Sequence, residues 1–222
     1  MRNTLLHTWR QWYGLKSFEI YARSQGYVFR EARSKQDLEA VYQIRWKVYK
    51  EAGYISPQAY PEQRMSDRFD AWSINLVALY GGKPVGTLRL TPLEKGSPLL
   101  DLFAVKELPE YYRTMEIGRF AVLSEARSSR MVAIGLIGKM SEISLRKKIE
   151  WWVGYAPHPL LKTFRKLFRY EVLPTLPVGA KEKAARQSMA GYFQRYERWL
   201  VVFQSRVEWV TSWRWREAMG MR

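Results

Sequence analysis

The sequence predicts an α+β fold, a mixed α/β sheet with helices packed on it, and three observations carry that prediction. Strand-like and helix-like runs follow one another in the order strand, helix, hairpin, strand, helix, strand, helix. The runs Ile74–Tyr80 and Pro84–Thr91 flank Gly81-Gly82, a hairpin signal. The 222 residues are 47% hydrophobic, with neither repeats nor a low-complexity linker, so one well-packed domain is expected. Its core should span about residues 23–180, followed by a basic, Trp-rich extension over 181–222.

Residues 1–22 are aromatic-rich (Trp9, Trp12, Tyr13, Phe18, Tyr21) and read as a packed or surface-lying lead-in. Tyr27–Ala32 alternates as a short first strand. Ser34 then supplies an N-cap, and Lys35–Ala52 reads as a helix. Leu38, Val41, Tyr42, Val48, Tyr49 and Ala52 form one stripe along it, and the missing place in that stripe is Arg45. A guanidinium on an apolar face must be paired with carboxylates, because burying it alone is costly. Asp67 and Asp70, which end a Gly/Pro/Ser-containing loop over 53–70, are the acids within reach.

The hairpin is followed by a looser stretch over 92–113 and then by a third strong strand, Thr114–Leu123. Glu125–Lys147 is a long helix with Val132, Leu136, Met140 and Ile143 on one side. Glu150–Tyr155 reads as a strand and Pro159–Arg169 as a basic amphipathic helix. Four of the ten tryptophans (Trp199, Trp209, Trp213, Trp215) fall near the end, interleaved with Arg195, Arg198, Arg206, Arg214 and Arg216. That segment could complete the core, lie on a membrane surface or clasp a partner.

Composition excludes several chemistries. Cysteine is absent, which removes disulfides, thiolate nucleophiles and zinc–cysteine sites. Only His7 and His158 offer imidazole, so no metal site is expected, and a Ser-His-Asp triad would have to use one of these two. No run approaches the roughly 20 apolar residues of a membrane span, and Met1–Gly14 is no secretory signal. A cytoplasmic protein is expected, with a peripheral membrane contact left open. The net charge of +16, from 37 Lys+Arg against 21 Asp+Glu, suits a polyanionic partner: nucleic acid, anionic lipid or an acidic protein. It also suits a basic surface that serves only solubility.

Four segments in fixed order resemble a known family. They are Ile44-Arg45-Trp46-Lys47-Val48-Tyr49, Asp67-Arg68-Phe69-Asp70, Leu76-Val77-Ala78 through Gly86-Thr87-Leu88-Arg89-Leu90, and Glu116-Ile117-Gly118-Arg119-Phe120-Ala121-Val122. Together they resemble the acyl-homoserine-lactone synthases and the related long-chain N-acyl amino acid synthases, over roughly residues 27–170. The resemblance implies a GNAT acyltransferase fold, with a central, mostly antiparallel twisted sheet flanked by helices. It implies acyl transfer from an acyl carrier protein to a small amine or amino acid. The homoserine-lactone branch has Glu-x-Ser-Arg where this chain has Glu116-Ile117-Gly118-Arg119, so the N-acyl amino acid synthases are the closer branch.

The residues themselves point to a polar interior. Alternation along Thr114–Leu123 puts Glu116, Gly118, Phe120 and Val122 on one face and Ile117, Arg119 and Ala121 on the other. Arg89 is out of phase with apolar Leu88 and Leu90. Arg45, Arg89 and Arg119 can therefore pair internally with Asp67, Asp70 and Glu116. In one reading this is an ion network that only holds the 53–70 loop. In the other, Glu116 takes the proton of the acceptor amine, directly or through water, while Arg45, Asp67, Asp70, Arg89 and Arg119 orient the acceptor.

On the donor side, the resemblance implies a pantetheine arm along Thr114–Leu123, with Phe120 beside it and backbone N–H groups near Val122 polarising the thioester. Coenzyme A is normally cradled by a Gln/Arg-x-x-Gly-x-Gly/Ala turn, but here the run is Arg127-Ser128-Ser129-Arg130-Met131-Val132. Arg130 and Val132 replace the small residues, which disfavours acyl-CoA. Arg127 or Arg130 could still hold the single phosphate of an acyl-phosphopantetheine on a carrier protein. The tyrosine general acid of many GNAT enzymes has Phe164 in its place, and His158 reads as a structural cap. Lys162, Arg165, Lys166 and Arg169, with Arg146, Lys147 and Lys148 nearby, form a candidate carrier-docking face. Two alternatives remain: an acyl-homoserine-lactone synthase using S-adenosylmethionine, and a basic module binding membrane or nucleic acid. Against nucleic acid, the basic residues form no recognisable binding motif.

Overall fold

In the computed structural model, residues 2–165, 168–176, 190–196 and 200–209 are described. Trp199, Trp213, Trp215, Arg198, Arg214, Arg216 and Lys166 lie outside them, as do the side chains of Phe164 and Trp209.

The chain runs α1 (Arg2–Ser24), β1 (Tyr27–Glu31), α2 (Lys35–Glu51), β2 (Ile74–Tyr80), β3 (Lys83–Pro92), α3 (Pro98–Leu102), β4 (Ala104–Val105), β5 (Thr114–Val122), α4 (Arg130–Arg146), β6 (Trp151–Pro157), α5 (His158–Phe164), β7 (Glu171–Leu173), β8 (Thr175–Leu176), α6 (Ala190–Tyr196) and β9 (Leu200–Arg206). Seven strands make one sheet in the order β1-β2-β3-β5-β6-β9-β7, and β4 and β8 form a separate pair. All pairings in the main sheet are antiparallel except β5 with β6.

Local chemistry explains the main elements. The Ser34 side chain accepts the Asp37 N–H and starts α2, and Ser129 accepts the Met131 N–H and starts α4. Gly81 and Gly82 both take positive φ, which turns β2 into β3 without strain. The expected lead-in is a helix. Its Leu15, Phe18 and Ala22 form one buried stripe in the same core as α4. Arg130, not Glu125, opens the long helix, because residues 124–126 form a separate 3-10 turn.

At the C-terminal end, residues 200–206 complete the core, the first of the readings open to that segment. β9 pairs with β6 along seven residues and with β7 on its other edge. Residues 200–206 are thus an interior strand of the sheet and not an appendage to it. Among the described residues no helix is long and apolar enough to cross a membrane.

Two cores flank the sheet. Leu76, Leu88, Leu90, Met115 and Trp152 pack with α1 and α4, while Leu99, Ala121, Val153 and Val202 pack with Ile44, Val48 and Tyr49 of α2. At α4 the fit depends on Gly135, since a Cβ there would stand 2.0 Å from Phe29 Cζ. Gly135→Ala should therefore lose about 2 kcal/mol or more in denaturant unfolding, despite alanine's better helix propensity. A gain of about 1 kcal/mol, as at an exposed helical glycine, would show that the ring is free to move away.

Candidate active site

The site starts from an irregularity in β5. Thr87 pairs with Ala121 and Arg89 with Gly118, so Arg119 and Phe120 together stand opposite Leu88. Arg119 has φ 51° at this bulge, a left-handed conformation unusual for a side chain of its size. The extra residue reverses the alternation downstream. Glu116, Arg119 and Ala121 face the α2 side, whereas Met115, Ile117, Phe120 and Val122 face α4. The strict period-2 assignment, which put Arg119 on the face opposite Glu116 and grouped Phe120 and Val122 with Glu116, is corrected by this one bulge.

β5 and β6 also part company. Their parallel pairing ends at Glu116↔Val153, although β5 continues to Val122 and β6 to Pro157. A cavity of about 760 Å³ occupies the split. Residues 116–122 of β5 and Tyr155 and Ala156 of β6 wall it, with Tyr49 and Tyr192 on the α2 side and Ile134, Phe168 and Phe203 on the other.

Arg45, Asp67, Asp70, Arg89 and Arg119 are brought together on the α2 side of the sheet. Arg45 is fully buried and donates to Asp70 Oδ1 at 2.8 Å and to Asn75 Oδ1. Arg89, also buried, donates to Asp67 Oδ1 at 2.6 Å and lies 3.3 Å from Asp70 Oδ1. Arg119 donates to Asp67 Oδ2 at 2.7 Å. The two acids brace each other through a capping box: the Asp67 N–H donates to Asp70, and Asp67 accepts the Phe69 N–H.

Burial favours the protonated form of Asp67, but Arg119 and Arg89 overcome it and hold the carboxyl well below its usual range. Arg45 and Arg89 likewise overcome the burial of Asp70 and depress it. Only Arg89 and Arg119 of this set line the cavity; Arg45, Asp67 and Asp70 stand behind them.

Glu116 behaves differently. It is 2% exposed, accepts the Leu99 N–H at 2.8 Å through Oε2, and lines the cavity. Burial raises its pKa, against the lowering effects of the Leu99 N–H, Arg89 and Arg119. A buried carboxylate held above its usual range is suited to accepting a proton near neutral pH.

Sequence reasoning missed Asn75, the Leu99 N–H and the tyrosines. Asn75 had a visible signal, a lone amide in the apolar Ile74–Tyr80 run, and it stands in register with Arg89. Tyr155 did not, because its place at the split depends on where β5 and β6 separate. Its ring packs against Phe103, Tyr192 and Phe193, and burial pushes its hydroxyl pKa up.

At the other end of β5, the Leu123 N–H donates to the Val85 carbonyl (3.0 Å), which makes Gly86↔Val122 a non-hydrogen-bonded pair. The Val122 N–H and carbonyl therefore point away from β3, towards the split. Arg127 Nε donates to that carbonyl at 3.0 Å. Phe120, Val122, Arg127, Arg130 and Lys162 all line the cavity.

Val132 does not act as the sequence suggested. It is fully buried, with Cγ1 2.6 Å from where a Gly86 Cβ would stand, so its bulk fills the core and not the mouth. His158 opens α5, but no side-chain cap bond forms at that end, because Pro157 occupies the N-cap position. Of the remaining basic residues, Arg165 lies over the Tyr170 ring at 5.6 Å.

The comparisons agree with this architecture. A structure of BjaI, a CoA-dependent acyl-homoserine lactone synthase, superposes with a TM-score of 0.66 at 21% identity, covering 87% of this chain and 88% of that one. The acyl-homoserine lactone synthase LasI gives 0.61 at 17%, covering 82% and 90%. FeeM, an N-acyl amino acid synthase from uncultured soil microbes, gives 0.56 at 17%, covering 86% and 93%. At these identities the likeness shows the fold. No curated protein sequence matches. The family profile of the N-acyl amino acid synthase FeeM matches residues 40–175, more than half of the chain. The chain therefore belongs to the FeeM family of N-acyl amino acid synthases.

Proposed function

We propose that this synthase takes its acyl group from the phosphopantetheine arm of an acyl carrier protein and passes it to the amine of an amino acid. The observation that carries the reading is the split itself, which has the outward-facing Val122 N–H at one end of β5 and buried Glu116 at the other. A thioester in the split can present its carbonyl oxygen to the Val122 N–H. The acceptor nitrogen attacks the carbonyl carbon, and its proton passes towards Glu116 through a chain of waters in the cavity, because six residues of strand separate that carboxylate from the Val122 N–H. The C–S bond then breaks, and the departing thiolate is protonated from solvent.

Charge supports the acceptor class. Three guanidiniums share two aspartates, and Arg89 and Arg119 stand on the cavity wall with both aspartates behind them. The surplus positive charge beside the cavity suits the carboxylate of an amino acid. Arg127, Arg130 and Lys162 at the mouth suit the phosphate of the donor arm, and the basic surface suits an acidic carrier.

Purified protein given acyl-carrier protein or acyl-CoA, with mixed amino acids and amines, should form N-acyl amino acids from the carrier-bound donor, as read by product mass. Its kcat/KM should fall several-fold as salt rises from low to physiological ionic strength. Salt-insensitive turnover would remove carrier docking, and an acyl-homoserine lactone as product would replace the amino acid reading.

A further inference from the structure

A carboxylate that does not itself line the cavity stands behind one of the cations at the mouth of the split. Glu51, the last residue of α2, places Oε2 at 3.7 Å from Arg127 Nη2, while Arg127 Nε donates to the Val122 carbonyl. Arg127 is half-exposed, and so is free to meet an incoming phosphate with its remaining N–H groups. A second carboxylate, Glu125, lies 3.5 Å from Lys47. The two acids differ in what they neutralise. Lys47 does not line the cavity, whereas Arg127 does.

We propose that Glu51 determines donor specificity by limiting how much negative charge the mouth accepts beside Arg127. This rests on the carrier-donor reading and explains it in electrostatic terms. The arm of a carrier protein brings one phosphodiester with one negative charge, which Arg127, Arg130 and Lys162 can offset even with Glu51 in place. Coenzyme A brings a pyrophosphate and a further phosphate, and their charge meets the Glu51 carboxylate within a few ångströms. Sequence alone assigned this discrimination to bulk at Arg130 and Val132, but Val132 is turned into the core. A repulsive element against the wrong donor fills that gap, and it costs the correct donor little.

The test is the ratio of kcat/KM for acyl-CoA to that for acyl-carrier protein, measured at one ionic strength for wild type, Glu51→Gln and Glu125→Gln. Glu51 is exposed at a helix C-terminus, where removing an anion does not weaken the helix. Glu51→Gln should raise the ratio about three- to tenfold, with most of the change in the KM for acyl-CoA. Calorimetry with coenzyme A alone should show tighter binding by a similar factor. Glu125→Gln should leave the ratio unchanged. An unchanged ratio in Glu51→Gln, or an equal rise in both variants, would overturn the proposal. A wild type that uses acyl-CoA better than acyl-carrier protein would instead overturn the carrier-donor reading, and this inference with it.

Discussion

Glu116→Gln is expected to lower kcat by about 10²- to 10⁴-fold, the range typical of a lost general base, while the protein folds as before. The amide matches the carboxylate in shape, and its oxygen can still accept the Leu99 N–H, so the local structure has no reason to change. What disappears is a proton acceptor. Ammonium acceptors must lose a proton before they attack a thioester, and Glu116 is the carboxylate on the cavity wall that is not already held by a guanidinium.

The pH dependence gives an independent readout. Burial raises the Glu116 pKa above its ordinary 4.5, so the acid limb of wild-type kcat/KM should lie above that value and be missing from the variant's residual activity. Stability moves the other way. A group whose folded pKa is raised stabilises the fold below its unfolded pKa, and that contribution is lost as pH rises through the folded pKa. The melting temperature of Glu116→Gln should therefore equal or exceed that of wild type at neutral pH, with the gap closing on acidification. Near-normal turnover in the variant would remove Glu116 from the mechanism.

Much of this site could be read from local patterns, and what could not depended on tertiary geometry. Arg45 was legible because a charged residue in an apolar helical stripe must be paired, and of the two acids within reach it is Asp70 that pairs with it. The β2–β3 hairpin was legible from two glycines. The face of Arg119 was not, because a bulge shifts side-chain phase without altering composition, and Gly118 alone does not reveal which residue will be extra. β9 was hidden because Trp/Arg interleaving in the C-terminal segment masks the apolar alternation of Val202 and its neighbours. Val132 was misassigned to the mouth because a motif fixes a position in the chain but not the direction of its side chain.

Asp70→Ala should be the most destabilising of the substitutions considered, at about 3–5 kcal/mol in denaturant unfolding. Arg45 is wholly buried and has Asp70 as its anionic partner, with Asn75 as a neutral one, so truncation leaves a desolvated cation. It also breaks the capping box that sets the 68–71 turn, and with it the position of Asp67. Because Asp67 holds Arg119 at the bulge, the damage should reach β5 and lower activity as well.

Acid should reproduce the stability effect in the intact protein. Both aspartates have depressed pKa values in the fold, so their stabilisation is fully present above the ordinary carboxylate range and is lost as pH falls through the depressed values. A double change, Arg45→Met with Asp70→Asn, removes the buried ion pair but keeps a side-chain acceptor for the Asp67 N–H, and so separates the charge from the capping box. Recovered stability with activity still low would show that the network positions the bulge and the cavity wall for acyl transfer. Recovery of both would reduce it to a scaffold for the 53–70 loop.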